Sequence, residues 1–192
     1  MRASMLASMV VLTWGVFSTH GALAFDLDSL MAELAADPGG RAEFVEKRYA
    51  ALLDKPVVSK GEMTYTLPSR LEKITTEPKA ESLVLEGDTL TLVRGPRKVT
   101  LTLASRPEAR AFVESIRSTL SGNRLALEKN YTLQLSGQAD DWRLVLTPTD
   151  AKILGLLKHI DVSGNGRQIR QLEYWQADDD RTVLQIKPIP SP

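Results

Sequence analysis

VSKGEMTYTLPSRLEKITTEP, residues 58–78, is the stretch whose reading decides the fold class of this chain. Met63, Tyr65 and Leu67 alternate with Glu62, Thr64 and Thr66. A period of two marks a strand with one dry and one wet face. Pro68 removes a backbone donor and fixes φ, so the ladder turns there. Extended sequence resumes over residues 71–76, and Pro78 stops it again.

Towards the C-terminus the same pattern recurs. Residues 82–85 and 89–93 form a predicted hairpin about Glu86-Gly87-Asp88, where glycine tolerates positive φ. After a turn at Gly95-Pro96, Val99, Leu101 and Leu103 share one face. Tyr131, Leu133 and Leu135 alternate, a turn follows at residues 137–141, and Trp142, Leu144 and Leu146 alternate up to Pro148. Residues 159–163 and 167–175 flank Gly164-Asn165-Gly166, a strong hairpin signal. Asp178-Asp179-Asp180 turns the chain into a last strand, residues 181–186. About ten strands therefore offer one apolar face, as expected of a single large antiparallel sheet.

Few helices are available to cover it. Residues 26–36 carry Leu27, Leu30, Met31 and Leu34 at helical spacing, with Asp26 or Asp28 as cap and Phe25 as a staple before it. Asp37-Pro38-Gly39-Gly40 ends that helix. Ser105 and Glu108 have capping-box spacing, Pro107 suits a first helical position, and Phe112, Val113, Ile116 and Leu120 form a stripe to Gly122. Asp150 can cap a short segment, 151–157, rich in Ile153, Leu154, Leu156 and Leu157. Residues 41–54 are rich in Ala, Glu, Lys and Leu, and propensity predicts helix there. Alternation of Phe44, Glu46 and Arg48 with Val45, Lys47 and Tyr49 would equally suit a strand.

Residues 1–24 read as a secretory signal. Arg2 gives a positive start, residues 5–17 are mostly apolar, and Ala22-Leu23-Ala24 is a small-x-small cleavage site before Phe25. The apolar run is shorter than the roughly 20 residues that span a bilayer. The expected mature chain is one domain, residues 25–192, exported and cleaved after Ala24. Lys plus Arg and Asp plus Glu number 24 each, for a net charge of zero, so no nucleic-acid partner is expected. The absence of cysteine removes thiol nucleophiles, Cys-ligated metals and a lipid-modified N-terminal cysteine.

The residues give little support to an enzyme. His159 is the single histidine after residue 24, and no G-x-S-x-G motif accompanies it. Asp140-Asp141 and Asp178-Asp179-Asp180 lack the spacing of a calcium loop and read as solvated hairpin tips. No metal site and no cofactor are expected. A sheet this large with so few helices either curls or splits into two layers. If it curls, its concave side is filled or hollow. An aliphatic interior suits an acyl chain, and it equally suits a plain core.

The order of short motifs adds information. A signal segment and an amphipathic helix precede Phe44-Val45-Glu46-Lys47, Gly61-Glu62-Met63, Leu67-Pro68 and Thr76-Glu77-Pro78. Leu83-Val84-Leu85-Glu86-Gly87-Asp88-Thr89-Leu90 follows and, much later, Trp142-Arg143-Leu144-Val145-Leu146-Thr147-Pro148. This order resembles the periplasmic outer-membrane lipoprotein carriers, the LolA-like family, over nearly all of the chain after residue 24. The resemblance implies an α+β fold, a curved antiparallel unclosed half-barrel covered by short helices. It implies that residues 44–48 are strand, against propensity. The family's apolar cavity holds acyl chains of a lipoprotein taken from an inner-membrane transporter and passed to an outer-membrane acceptor.

Carried onto this sequence, the expectation is a monomeric periplasmic carrier of an acylated lipoprotein or another lipid. The alternatives are a carrier or sensor of a different envelope lipid, such as a pigment or glycolipid intermediate, and a structural component of an envelope complex. The apolar parity of the strands nominates Met63, Tyr65, Leu83, Leu85, Leu90, Leu92, Leu101, Leu103, Leu144 and Leu146 as the cavity wall. The resemblance makes Leu30, Met31, Leu34, Phe112, Ile116, Leu120, Leu154 and Leu157 the lid. The sequence departs from the family at the proline motif, where Leu67 stands in place of a basic residue and Lys73 in place of an aromatic. Arg70 is then the candidate for gating. The chain also stops soon after Ile186, without the extra C-terminal strand of the best-known carriers.

Overall fold

The computed structural model describes residues 25–190; the expected signal segment and its cleavage site lie outside the described residues. Helix α1 (Leu27–Ala35) precedes six strands: β1 (Gly40–Tyr49), β2 (Val57–Thr66), β3 (Arg70–Glu77), β4 (Glu81–Glu86), β5 (Thr89–Arg94) and β6 (Arg97–Thr102). A 3-10 turn (Leu103–Ser105) leads into α2 (Pro107–Leu120) and α3 (Arg124–Glu128). Then come β7 (Tyr131–Gln138), β8 (Asp141–Pro148), α4 (Ala151–Leu154), β9 (Leu157–Asn165), β10 (Gln168–Gln176) and β11 (Arg181–Ile189).

All eleven strands form one antiparallel sheet in the order β6-β5-β4-β3-β2-β1-β11-β10-β9-β8-β7. Two meanders, β1 to β6 and β7 to β11, are joined by the β1–β11 pairing, in which Phe44 faces Ile186 and Glu46 faces Leu184. The outermost strands, β6 and β7, do not pair with each other, so the half-barrel stays open. The chain must cross from one edge to the other between β6 and β7. Helix α2 makes most of that crossing: its 14 residues extend about 21 Å.

Residues 41–49 are strand, which overturns the helix that propensity favoured. β1 is central, pairing with β2 on one side and β11 on the other. Hydrogen bonding along both edges outweighs a few tenths of a kcal/mol per residue of helical preference. Ser105, expected to cap α2, is not its N-cap. Arg106 is the N-cap with no side-chain cap, and the Ser105 hydroxyl instead donates to the Thr102 carbonyl at 2.8 Å. At α1 the cap is Asp26, whose carboxylate accepts from the Ser29 amide at 2.8 Å. That hydrogen bond holds the Asp26 carboxyl below its usual range.

The main core lies beneath α1 and α3 against β7 to β10. Leu30, Leu34, Leu127, Trp142, Leu144, Leu146, Ile160 and Val162 are essentially inaccessible there. Cross-strand pairs explain the density: Leu144 lies between Leu135 and Val162, and Leu146 between Leu133 and Ile160. Trp142 packs over Gly164, where a Cβ would come within 2.5 Å of the indole. Its Nε1 donates to the Gly166 carbonyl at 2.8 Å. A smaller cluster, Leu85, Leu103 and Val113, forms at the other end of the sheet.

Helix α1 seats against the turn after α2. Gly122 there has φ 60°, and a Cβ on it would come within 2.0 Å of the Met31 carbonyl oxygen. Gly122→Ala is therefore expected to cost about 1–3 kcal/mol of stability, because an L side chain is strained at this φ and also clashes. Denaturant unfolding checks this; a loss below about 0.5 kcal/mol, within the usual range of neutral surface changes, would contradict the close seating of α1.

Candidate functional site

Between the two packed clusters the concave face is hollow. A cavity of about 790 Å³ lies there. Phe112, Ile116 and Leu120 of α2 and Leu34 of α1 line it from the helical side. Their spacing of four residues along α2 places all three on one face of the helix. The sheet contributes Ala42 from β1, Met63 and Tyr65 from β2, Leu71 and Lys73 from β3, and Leu83 from β4. Leu172, Tyr174, Leu184 and Ile186 close it from β10 and β11.

The hollow has a local cause in the sequence. In the filled half, the inward positions of β8 and β9 carry Trp, Leu, Ile and Val. Here β1 presents Gly40 and Ala42, opposite Tyr65 and Met63 of β2. Small side chains at the middle of the sheet leave a volume that the flanking leucines do not reach. β10 adds a bulge: Ile169 faces Gly164 and Leu172 faces Val162, so an extra residue, Arg170, falls between them. The bulge brings Ile169 and Leu172, three positions apart, onto the cavity's face, and Arg170 lines the cavity as well.

A second cavity of about 650 Å³ lies towards α4, lined by Arg106, Ile153, Leu156 and Leu157 among others. Glu46, Phe112 and Tyr174 line both cavities and so stand between them. The Phe112 and Tyr174 rings meet at 5.0 Å between centroids. Burial, with Glu46 nearby, holds the Tyr174 phenol far above its usual range, so it stays neutral. Glu46 forms an ion pair with Lys73, whose ammonium lies 4.8 Å from the centre of the Phe44 ring. The floor of the hollow thus holds one paired charge within apolar walls.

The nominated wall residues separate on this geometry. Met63, Tyr65 and Leu83 line the larger cavity. Leu85 and Leu103 are buried in the small cluster, with Leu90 packed against them. Leu103 sits in the 3-10 turn, not on β6. Leu92 is half-buried on β5, outside the lining. Leu101 is 42% exposed near the sheet edge, and Leu144 and Leu146 belong to the filled core. Leu67, grouped with Met63 and Tyr65 by alternation, lies beyond the end of β2 and is exposed.

Of the nominated lid residues, Leu34, Phe112, Ile116 and Leu120 line the larger cavity. Leu30 and Met31 pack in the main core. Leu157 opens β9 and lines the second cavity, while Leu154 is 42% exposed. Arg70 lies off the cavity, paired with Glu86 at 2.9 Å and Glu72 at 3.5 Å. It reaches the hollow only through Glu72, which lines it. The missed wall residues are Ala42, Leu71, Ile169, Leu172, Leu184 and Ile186. Leu172 and Tyr174, and Leu184 and Ile186, stand two positions apart, a period-two signal that could have found them. Nothing in the sequence pattern announced the bulge.

His159, the candidate for any triad, stacks on Trp175 at 5.6 Å between ring centroids. Its Nε2 is 3.8 Å from Asp161, which Arg143 already holds at 2.5 Å. Among the described residues no group of His, Asp and Glu is placed to hold a metal ion.

A model of the family described as outer membrane lipoprotein carrier protein LolA-like matches residues 19–186. Among solved structures, the chain is similar to a LolA superfamily protein from Nitrosomonas europaea, with 11% identity and a TM-score of 0.44, over 88% of this chain and 96% of that one. It is similar to a chain of the MucA/MucB complex from Pseudomonas aeruginosa, with 15% identity and a TM-score of 0.49, over 87% of this chain and 59% of that one. It is also similar to the lipoprotein LppX from Mycobacterium tuberculosis, with 9% identity and a TM-score of 0.45, over 85% and 97% of the two chains. No curated protein sequence matches it.

Proposed function

We propose, from the premise that this chain belongs to the outer membrane lipoprotein carrier protein LolA-like family, that it is an envelope carrier taking acyl chains into the larger cavity. In this reading it collects the acyl chains of a lipoprotein at the inner membrane, shields them in the periplasm and delivers them to the outer membrane. Export follows cleavage after Ala24. The protein acts as a monomer and by binding, with no chemical step.

The observation that carries the reading is the hollow itself, about 790 Å³ between Phe112, Ile116 and Leu120 above and the sheet below. Moving each methylene of an acyl chain from water into such a space contributes about 0.8 kcal/mol. Release then requires a conformation in which that contact is lost. Helix α2 is suited to be the moving part, because its inner stripe is also the cavity's wall. Arg70 would influence that motion through Glu72. A second reading, a carrier of a different envelope lipid, is favoured by the charge at the cavity rim.

The test is mass spectrometry of an organic extract of full-length protein expressed in a diderm host and purified from the periplasm. Acyl lipid in stoichiometric amount is expected. An extract without lipid, from protein that also fails to bind a long-chain fluorescent fatty acid, would overturn the carrier reading.

A further inference from the structure

The lining of the larger cavity includes five cations, Arg41, Lys73, Arg167, Arg170 and Lys187, against three carboxylates, Asp37, Glu46 and Glu72. The chain as a whole has no net charge, so this excess is local. Each carboxylate already has a partner. Asp37 accepts from the Gly39 amide at 2.8 Å, Glu46 pairs with Lys73, and Glu72 lies 3.5 Å from Arg70. Two of the cations at the rim are also satisfied, Arg41 by Glu62 at 2.5 Å and Lys187 by Glu43 at 3.7 Å.

Arg167 and Arg170 remain. Neither has a carboxylate partner among the described residues; Arg170 meets only the neutral Gln168 side chain at 3.1 Å. Both come from the β9–β10 hairpin, three positions apart. Arg170 falls at the bulge between Ile169 and Gln171 and, like Arg167, lines the cavity. Two exposed guanidinium forks therefore stand beside the mouth of an apolar hollow. A guanidinium presents several N–H donors in a plane that matches the oxygens of a phosphate.

We propose that the cavity selects amphiphiles bearing a phosphate headgroup, with the acyl chains inside and the phosphate held by Arg167 and Arg170. This rests on the reading of the cavity as an acyl site and adds the headgroup to it. A neutral diacylglyceryl head would leave both guanidinium groups without an anionic partner. Free phosphate shares the headgroup chemistry but would make no use of the hollow.

The test displaces a fluorescent fatty-acid probe from full-length protein with dioctanoyl phosphatidic acid, dioctanoylglycerol or inorganic phosphate at low salt. Phosphatidic acid is expected to bind about ten-fold more tightly than the neutral lipid, the scale of one hydrogen bond to a charged group. Arg167→Gln with Arg170→Gln should bring it down to the level of dioctanoylglycerol. Both side chains are exposed, so the fold is not at stake, and an unchanged melting temperature would document that. Arg167→Lys with Arg170→Lys should keep part of the preference. Equal binding of the two lipids, or a preference that survives the double Gln variant, would overturn the headgroup assignment while leaving the acyl site standing. Inorganic phosphate abolishing the preference at the concentrations of the lipid would assign the arginines to the free ion and also overturn the proposal. If the fatty-acid probe itself does not bind, the acyl reading fails and the headgroup assignment falls with it.

Discussion

Ile116→Asp in the full-length protein is expected to weaken binding of a long-chain fluorescent fatty acid by about 100-fold or more, with the fold retained. A loss of that size corresponds to about 2.7 kcal/mol, within the cost of leaving a polar group unpaired in an apolar site. Ile116 is the middle residue of the stripe Phe112, Ile116 and Leu120, and it lines the hollow. A carboxylate there faces Leu, Met and aromatic walls. The cation on the cavity floor, Lys73, is already held by Glu46. The new charge must keep water in the cavity, and that water occupies the volume an acyl chain needs. Ile116 is only half-buried without ligand, so the empty protein should tolerate the change. Leu125→Asp, on α3 and 76% exposed, serves as the control and should leave binding unchanged. Wild-type affinity in a folded Ile116→Asp protein would show that α2 is not a wall of the ligand site.

Most of the sheet was legible because its signals are local. Alternation such as Met63 and Tyr65, or Leu144 and Leu146, needs no knowledge of neighbours, and glycine- and proline-rich turns separate the strands. The stripe of α2 was legible for the same reason. β1 was not, because Ala42, Glu43, Glu46 and Lys47 are sound helix formers and only the pairing with β2 and β11 makes them strand. The family resemblance placed it correctly where propensity did not. The short helix α3 was missed: five residues capped by Asn123 give no periodic pattern.

The site was less legible than the fold. Parity says which residues point inward, and it says nothing about whether the space they meet is occupied. Leu83 and Leu144 look alike in sequence, each an inward leucine on an alternating strand. One borders the hollow, and the other is wholly enclosed. The difference comes from residues on other strands, Gly40 and Ala42 in the one case and Leu135 and Val162 in the other. The bulge at Arg170 likewise depends on the register of β9 against β10, so the contribution of β10 to the rim was not readable from alternation.

That contrast gives the largest expected effect on stability. Leu144 is fully buried, with Leu135 and Val162 as cross-strand neighbours. Leu144→Ala removes its methyl groups and leaves a void that the paired strands cannot collapse, so a loss of about 2–5 kcal/mol is expected. Leu83 faces Lys73 on β3 and Leu92 on β5, and its side chain already borders empty space. Leu83→Ala creates no new enclosed void and forfeits only part of a transfer free energy, so about 1 kcal/mol or less is expected. Urea unfolding of the two full-length variants, with slopes shown to be equal, measures the difference directly. The Leu83 variant should still bind the fatty-acid probe, since its wall recedes without gaining a charge. Equal losses of several kcal/mol at the two positions would mean that β4 is as tightly packed as β8, and the space read as a binding cavity would be part of a filled core.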